Sequence, residues 1–183
     1  VIVAFSVVAT GALNYVAKHP SNILNWMING ETGEAVEHDL DGATLTLEDS
    51  WTVSSFDDLT AIGKLFQNFS REGDEDLEGE WLILSPDEDP AILYCYDNEA
   101  TTIQLSDLRE ALEEDENMTV ESIEFHGIPA VEGTAQNPEK EDIIDYKQIC
   151  FIANDKCYEL VVYHGKDDAA ERIAQKILDG LSF

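Results

Sequence analysis

The stretch DEDLEGEWLILS, residues 74–85, comes nearest to a recognisable chemistry in this chain. Asp74, Asp76, Glu78 and Gly79 fall at the first, third, fifth and sixth positions of a calcium loop. In such a loop hard carboxylate oxygens ring the cation and glycine makes the sharp turn. The pattern then departs. The twelfth position, which takes a bidentate Glu, is Ser85, and a strand pattern follows where a helix should. Asp74, Asp76 and Glu78 are therefore a weak divalent-cation candidate, and a solvated acidic loop fits the same residues. The turn PDEDP adds Asp87, Glu88 and Asp89, which read as a polar turn that could hold a cation only loosely.

Nucleophiles and acid–base groups are sparse. Cys95, Cys150 and Cys157 make an odd count with no C-x-x-C, and His19, His38, His126 and His164 are scattered. No His/Cys cluster has zinc-ligand spacing. No G-x-S-x-G elbow and no phosphate-cradling glycine loop occurs. Cys157 adjoins Lys156, but strand alternation sends the two to opposite faces, and an activated thiolate needs a basic partner. We assign no catalytic residue and no cofactor-binding residue. Asn68-Phe-Ser70 and Asn117-Met-Thr119 fit the N-glycosylation pattern, which matters only in an exported chain.

Charge narrows the partners. The 183 residues carry 39 acids against 10 Lys and Arg, a net charge of −29, while 44% are hydrophobic. That apolar fraction suffices for a folded core, so the charge describes a surface rather than disorder. Such a surface repels nucleic-acid backbones and anionic bilayers and attracts cations or basic partners.

The elements follow from periodicity. Residues 1–17 carry no charge, and KHPSNILNWMING after them has helical spacing, so 1–30 reads as an apolar N-terminal helix. Residues 31–42 read as an acidic linker and 43–183 as one α+β domain. Within it, TLTL alternates as a half-buried strand, and SSFDDLTAIGKLFQNFS reads as a helix capped by Ser54 or Ser55. EWLILS and AILYCYD are strands. SDLREALEEDE is a short helix with Asp107 and Glu110 at capping-box spacing. VESIEFHGIPAVEG is one or two strands broken at Gly127-Ile128-Pro129.

The hairpin YKQICFIANDKCYELVVYH carries the most detail. With Asn154-Asp155 as a type I′ turn, Phe151 faces Tyr158 and Ile149 faces Leu160, on one apolar side with Val162. Cys150 then faces Glu159 and Cys157 faces Ile152, leaving the two cysteines diagonal at roughly 7–8 Å, at or beyond disulfide reach. A register shifted by one turn residue would pair them, so a disulfide stays open. DDAAERIAQKILDGLSF closes the chain as an amphipathic helix, with Ala170, Ile173, Ala174, Ile177, Leu178 and Leu181 at helical spacing and Asp167 and Asp168 at its start.

An antiparallel sheet with flanking helices is the α+β class this order implies. Its local features resemble the PsbP-like group, the fold of the photosystem II extrinsic subunit and of a nuclear Ran-binding protein. They are LEDSW after the first strand, the SDLREALEE helix, IEFHGIPAVEG with its Gly-x-Pro-Ala, the ICFIANDKCYELVVYH hairpin and the AERIAQKILDGLSF helix. The resemblance covers about residues 42–183. It implies an α/β/α sandwich and a binding or scaffolding domain more than an enzyme, with bacterial members often exported or anchored. It carries over no site residue.

The opening VIVAFSVVATGALNYV reads as a truncated membrane anchor, since a spanning helix needs about 20 apolar residues and Tyr15, Lys18 and Trp26 suit the interface. A signal-peptide core and a packed soluble helix are the alternatives. The expected function is a non-catalytic, membrane-tethered or exported binding domain in the cell envelope. Its partner would be a protein or envelope component, with no nucleic acid and no cofactor beyond a weak divalent cation. A small-ligand or cation module, or an enzyme with a dispersed site, is the alternative.

Overall fold

The computed structural model describes residues 33–40, 42–55, 77–86, 90–98, 103–136, 144–163 and 169–183. The apolar N-terminal helix, the main body of the helix expected over 54–69, the Asn68 motif, the Asp87–Asp89 turn and Asp167-Asp168 lie outside these residues. Among the described residues no helix is long and apolar enough to cross a membrane.

Ten strands and two helices are described: β1 Ala35–Asp39, β2 Thr44–Glu48, β3 Thr52–Ser55, β4 Leu77–Leu84, β5 Pro90–Asp97, α1 Leu105–Glu113, β6 Met118–Phe125, β7 Ile128–Gln136, β8 Ile144–Ala153, β9 Lys156–Tyr163, α2 Ala169–Gly180 and β10 Leu181–Ser182. All described pairings are antiparallel. Seven strands form the main sheet in the order β3-β4-β5-β9-β8-β7-β6, and β1-β2-β10 form a smaller one.

The β8–β9 hairpin has the register its turn dictates. Asn154 and Asp155 hold φ of 47° and 58°, as a type I′ turn requires. Phe151 faces Tyr158, Ile149 faces Leu160, Cys150 faces Glu159 and Ile152 faces Cys157. Side-chain alternation then decides both faces of the sheet. Ile149, Phe151, Tyr158, Leu160 and Val162 join Leu93, Ile83 and Trp81 on the inner face, all buried. Against this face pack α2, through Ala170, Ile173, Ala174, Ile177 and Leu178, and the small sheet, through Leu45, Leu47 and Leu181. Burial of each large aliphatic side chain there contributes about 1.5–3 kcal/mol. On the outer face α1 covers Val131 and Cys150 with Leu112, Leu105 and Leu108. A separate outer cluster gathers Leu82, Ile92, Tyr94 and Val161. The layers are helix, sheet, and helix with a small sheet.

Several elements differ from the sequence reading. Residues 35–39 of the expected linker form β1, paired along its length with β2, and Leu40 is fully buried. β1 escapes periodicity because nearly all of it faces water, as an edge strand can. Ser54 and Ser55 form the end of β3, opposite Leu82 and Trp81, and the helix they were expected to cap lies outside the described residues. The cap of α1 is Gln104. Asp107 is the third helical residue, and its carboxylate accepts the Gln104 backbone N–H at 2.8 Å. The break in VESIEFHGIPAVEG sits at His126-Gly127, with φ of 50° and 80°. Pro129 falls inside β7, opposite Glu124. Leu181 belongs to β10 rather than to the helix, opposite Leu45.

Candidate functional site

A concavity beside titratable groups lies where the β6–β7 turn meets the residues that follow α2. It is an open groove of about 610 Å³, lined by Thr46, His126, Ile128, Asp179, Ser182 and Phe183 among others. Sequence builds each wall. The two-residue turn raises His126 out of the sheet end, exposed and left-handed, with its ring edge-on to Phe125 at 6.0 Å. The opposite wall is the C-terminus of α2, which approaches β2 so closely that a Cβ on Gly180 would lie 2.4 Å from the Thr46 carbonyl oxygen. There the chain turns into β10 and delivers Phe183.

Phe183 anchors an aromatic array. Its ring meets Phe151 edge-on at 5.7 Å and Tyr158 at 5.3 Å, while Phe151 stacks on Tyr158 and meets Phe125 edge-on at 4.9 Å. Edge-to-face pairs of this kind add about 0.5–1.5 kcal/mol each beyond area burial. Phe183 nonetheless stays 39% exposed. The groove thus offers apolar and aromatic contact with two titratable groups on its rim, His126 and the Asp179 carboxylate, which accepts a hydrogen bond from Gln175 Nε2 at 2.7 Å. This arrangement suits binding an apolar side chain or ring.

At the far end of the inner face the only buried lysine among the described residues is fully engaged. Lys147 is 3% exposed, donates to Glu132 Oε1 at 2.8 Å and also pairs with Glu171 on α2. Burial would lower the ammonium pKa, but the two carboxylates outweigh it and the pKa is raised. Lys147 ties α2 to the sheet, as a charge rather than as a proton donor at neutral pH.

The cysteines are buried thiols and no disulfide links them. Burial, then the Glu159 charge, pushes Cys150 well up and Cys157 up to about 12. Both stay protonated and unreactive at neutral pH. Glu159 accepts from Gln148 Nε2 at 2.8 Å; burial first, and then the Glu80 and Glu159 charges, also raise Tyr94 and Tyr163.

Of the cation candidates, Asp74 and Asp76 lie outside the described residues. Glu78 falls at a bulge in β4 between Leu77 and Gly79, its side chain also outside them. Among the described residues no three His, Cys, Asp or Glu cluster as metal ligands would. His126 reads in the sequence as one of four scattered histidines, and the groove is not visible there, because Thr46, His126 and Phe183 come from three distant segments. The available signal was Gly127, which suits a tight turn between two strands; the structure holds His126 before it left-handed as well, an uncommon conformation for a residue other than Gly or Asn.

No family model matches the chain, and no curated protein matches it in sequence. Its fold does have a solved counterpart. The solution structure of cyanobacterial PsbP (CyanoP) from Synechocystis matches with a TM-score of 0.51 at 4% identity, over 84% of this chain and 95% of that one. At such identity the likeness concerns architecture alone. With its antiparallel sheet, its α1 and α2 layers and this match, the chain has a PsbP-like fold.

Proposed function

We propose that this chain is a non-catalytic binding domain working outside the cytoplasm, held at a membrane by its apolar N-terminal stretch and docking a protein partner. The observation that carries the reading is the PsbP-like fold over 84% of the chain, shared with cyanobacterial PsbP. The chemistry of the described groups supports it. The thiols are buried with raised pKa values, and Lys147 is locked between two carboxylates. What the surface does offer is an aromatic-walled groove and a dense negative charge, both suited to recognition. The test is to express the full-length gene with a C-terminal reporter that is active only outside the cytoplasm. An active reporter in membranes that survive an alkaline wash is expected. Inactive reporter in the soluble fraction overturns the reading.

A second reading, a small-ligand module, is favoured by the groove itself. A metabolite thermal-shift screen in which no compound raises Tm, repeated with Phe183→Ala as reference, would remove it. The cation at Asp74, Asp76 and Glu78 is settled by calorimetry with calcium, magnesium and manganese, where absence of heat at millimolar metal eliminates it.

A further inference from the structure

The two outer strands of the main sheet are unequal. β3 has four residues, whereas β6 has eight and no strand beyond it among the described residues. Sheet edges are commonly blunted by proline, lysine, a bulge or brevity. β6 has none of these: MTVESIEF contains no Pro or Lys, and its register with β7 runs unbroken from Met118 to Phe125.

The turn decides which groups the edge presents. In a two-residue hairpin the residues flanking the turn, Phe125 and Ile128, exchange both hydrogen bonds, and bonded and non-bonded pairs then alternate. Ile123, Glu121 and Thr119 therefore point their backbone groups at β7. Val120, Ser122 and Glu124 point theirs outward. This row runs directly into His126, and so into the groove beside Ile128 and Phe183.

Charge selects the occupant. Residues 105–125, which are α1, the following turn and β6, hold eight acids against the single Arg109. Arg109 is itself engaged by Glu113 and by Ser122 Oγ. Glu121 and Glu124 flank the central edge residue on opposite faces of the sheet and are exposed. A second copy of a chain carrying −29 would bring its own Glu121 and Glu124 to this edge, at a repulsive cost. An extended basic strand meets attraction instead.

We propose that the open edge of β6 is a docking site for an extended, Lys- or Arg-bearing segment of a partner protein, which adds a strand beside Val120, Ser122 and Glu124 and seats an apolar residue in the groove at His126, Ile128 and Phe183. Main-chain hydrogen bonds supply the affinity, and alternate side chains meeting Glu121, Glu124 and the groove supply the selectivity. This rests on the binding-domain reading above and specifies its surface.

The probe is the peptide acetyl-(Thr-Lys)₃-Thr-Phe-amide, compared with a copy N-methylated on alternate residues and with a Glu-for-Lys copy. Hydrogen exchange of the whole chain is followed amide by amide at low salt. The outward amides of Val120, Ser122 and Glu124 should slow by about tenfold with the Lys peptide alone. Ser122→Pro removes an outward donor and leaves the β7 ladder intact, so it should abolish the protection while the protein still melts cooperatively. Should Ser122→Pro fail to fold, Glu121→Gln with Glu124→Gln, which leaves the backbone untouched, should weaken binding and flatten its salt dependence. Equal binding of the N-methylated copy, protection mapped away from β6, or protection of the same amides by dimerisation without peptide each overturns the proposal. The reporter experiment above reads location and not this edge, so either result can fail alone.

Discussion

His126 holds a φ of 50° at a turn position that glycine or asparagine fills without cost. An L-residue pays about 1–2 kcal/mol in that conformation unless local bonds offset it. His126→Gly should therefore raise Tm, as read by thermal melting. The same change removes a ring from the groove wall, so peptide affinity should fall as stability climbs. A variant that loses both would show that His126 serves packing instead. Cys157 makes the second residue-scale prediction. Its folded pKa is raised to about 12 from 9.0, so the folded state keeps a proton that the unfolded chain gives up. Its contribution is whole below pH 9 and is lost as pH climbs towards 12. Denaturant midpoints measured across that interval should decline, and Cys157→Ala should decline less steeply from a lower start. An equal slope in both proteins would assign the alkaline loss to other groups.

At the scale of elements, the contact between α2 and β2 is decided by one missing methyl. A Cβ on Gly180 would press on the Thr46 backbone, which cannot swing aside as a side chain can. Gly180→Ala should cost about 1–3 kcal/mol by chemical denaturation, through overpacking, and should open the groove. A cost near zero would mean that β10 detaches freely. How much of these elements could be read in advance depended on where each segment was buried. The β8–β9 register was legible to the residue, because Asn154-Asp155 fixes the turn and apolar alternation fixes the face. α2 was legible because its buried residues recur at helical spacing. β1 was not, since Ala35–Asp39 faces water on nearly all of its length and Leu40 alone marks it. The cap of α1 was misplaced because Gln104 is not among the usual capping types, and Asp107 serves from the third helical position. The groove was illegible because nothing local links Thr46 to His126 or Phe183.

For the whole molecule, the charge of −29 is the governing quantity. Described ion pairs such as Arg109–Glu113 and Lys176–Glu48 are exposed and engage few of the acids. Like charges packed on one folded surface repel, and salt screens them within about 10 Å at 0.1 M. Tm should therefore climb as sodium chloride is raised from low to about 0.5 M, in scanning calorimetry. A flat response would mean that the acids are spaced beyond mutual influence. Opposite behaviour is expected of the basic peptide, whose hold on β6 should weaken over the same salt range.

The small sheet has one more effect, on timing. Leu181 and Ser182 pair with Leu45 and Thr44, and Lys176 reaches Glu48, across most of the chain. β2 is thus sandwiched between β1, which precedes it in the chain, and β10, which follows α2. Until residues 169–182 have been made, the inner face of the sheet lacks both α2 and the third strand, so Leu45, Ile149 and Leu160 have nothing to close over them. The domain completes its core only once α2 and β10 have been made. The strands made before α2 stay slack until then, and lock when α2 and β10 arrive.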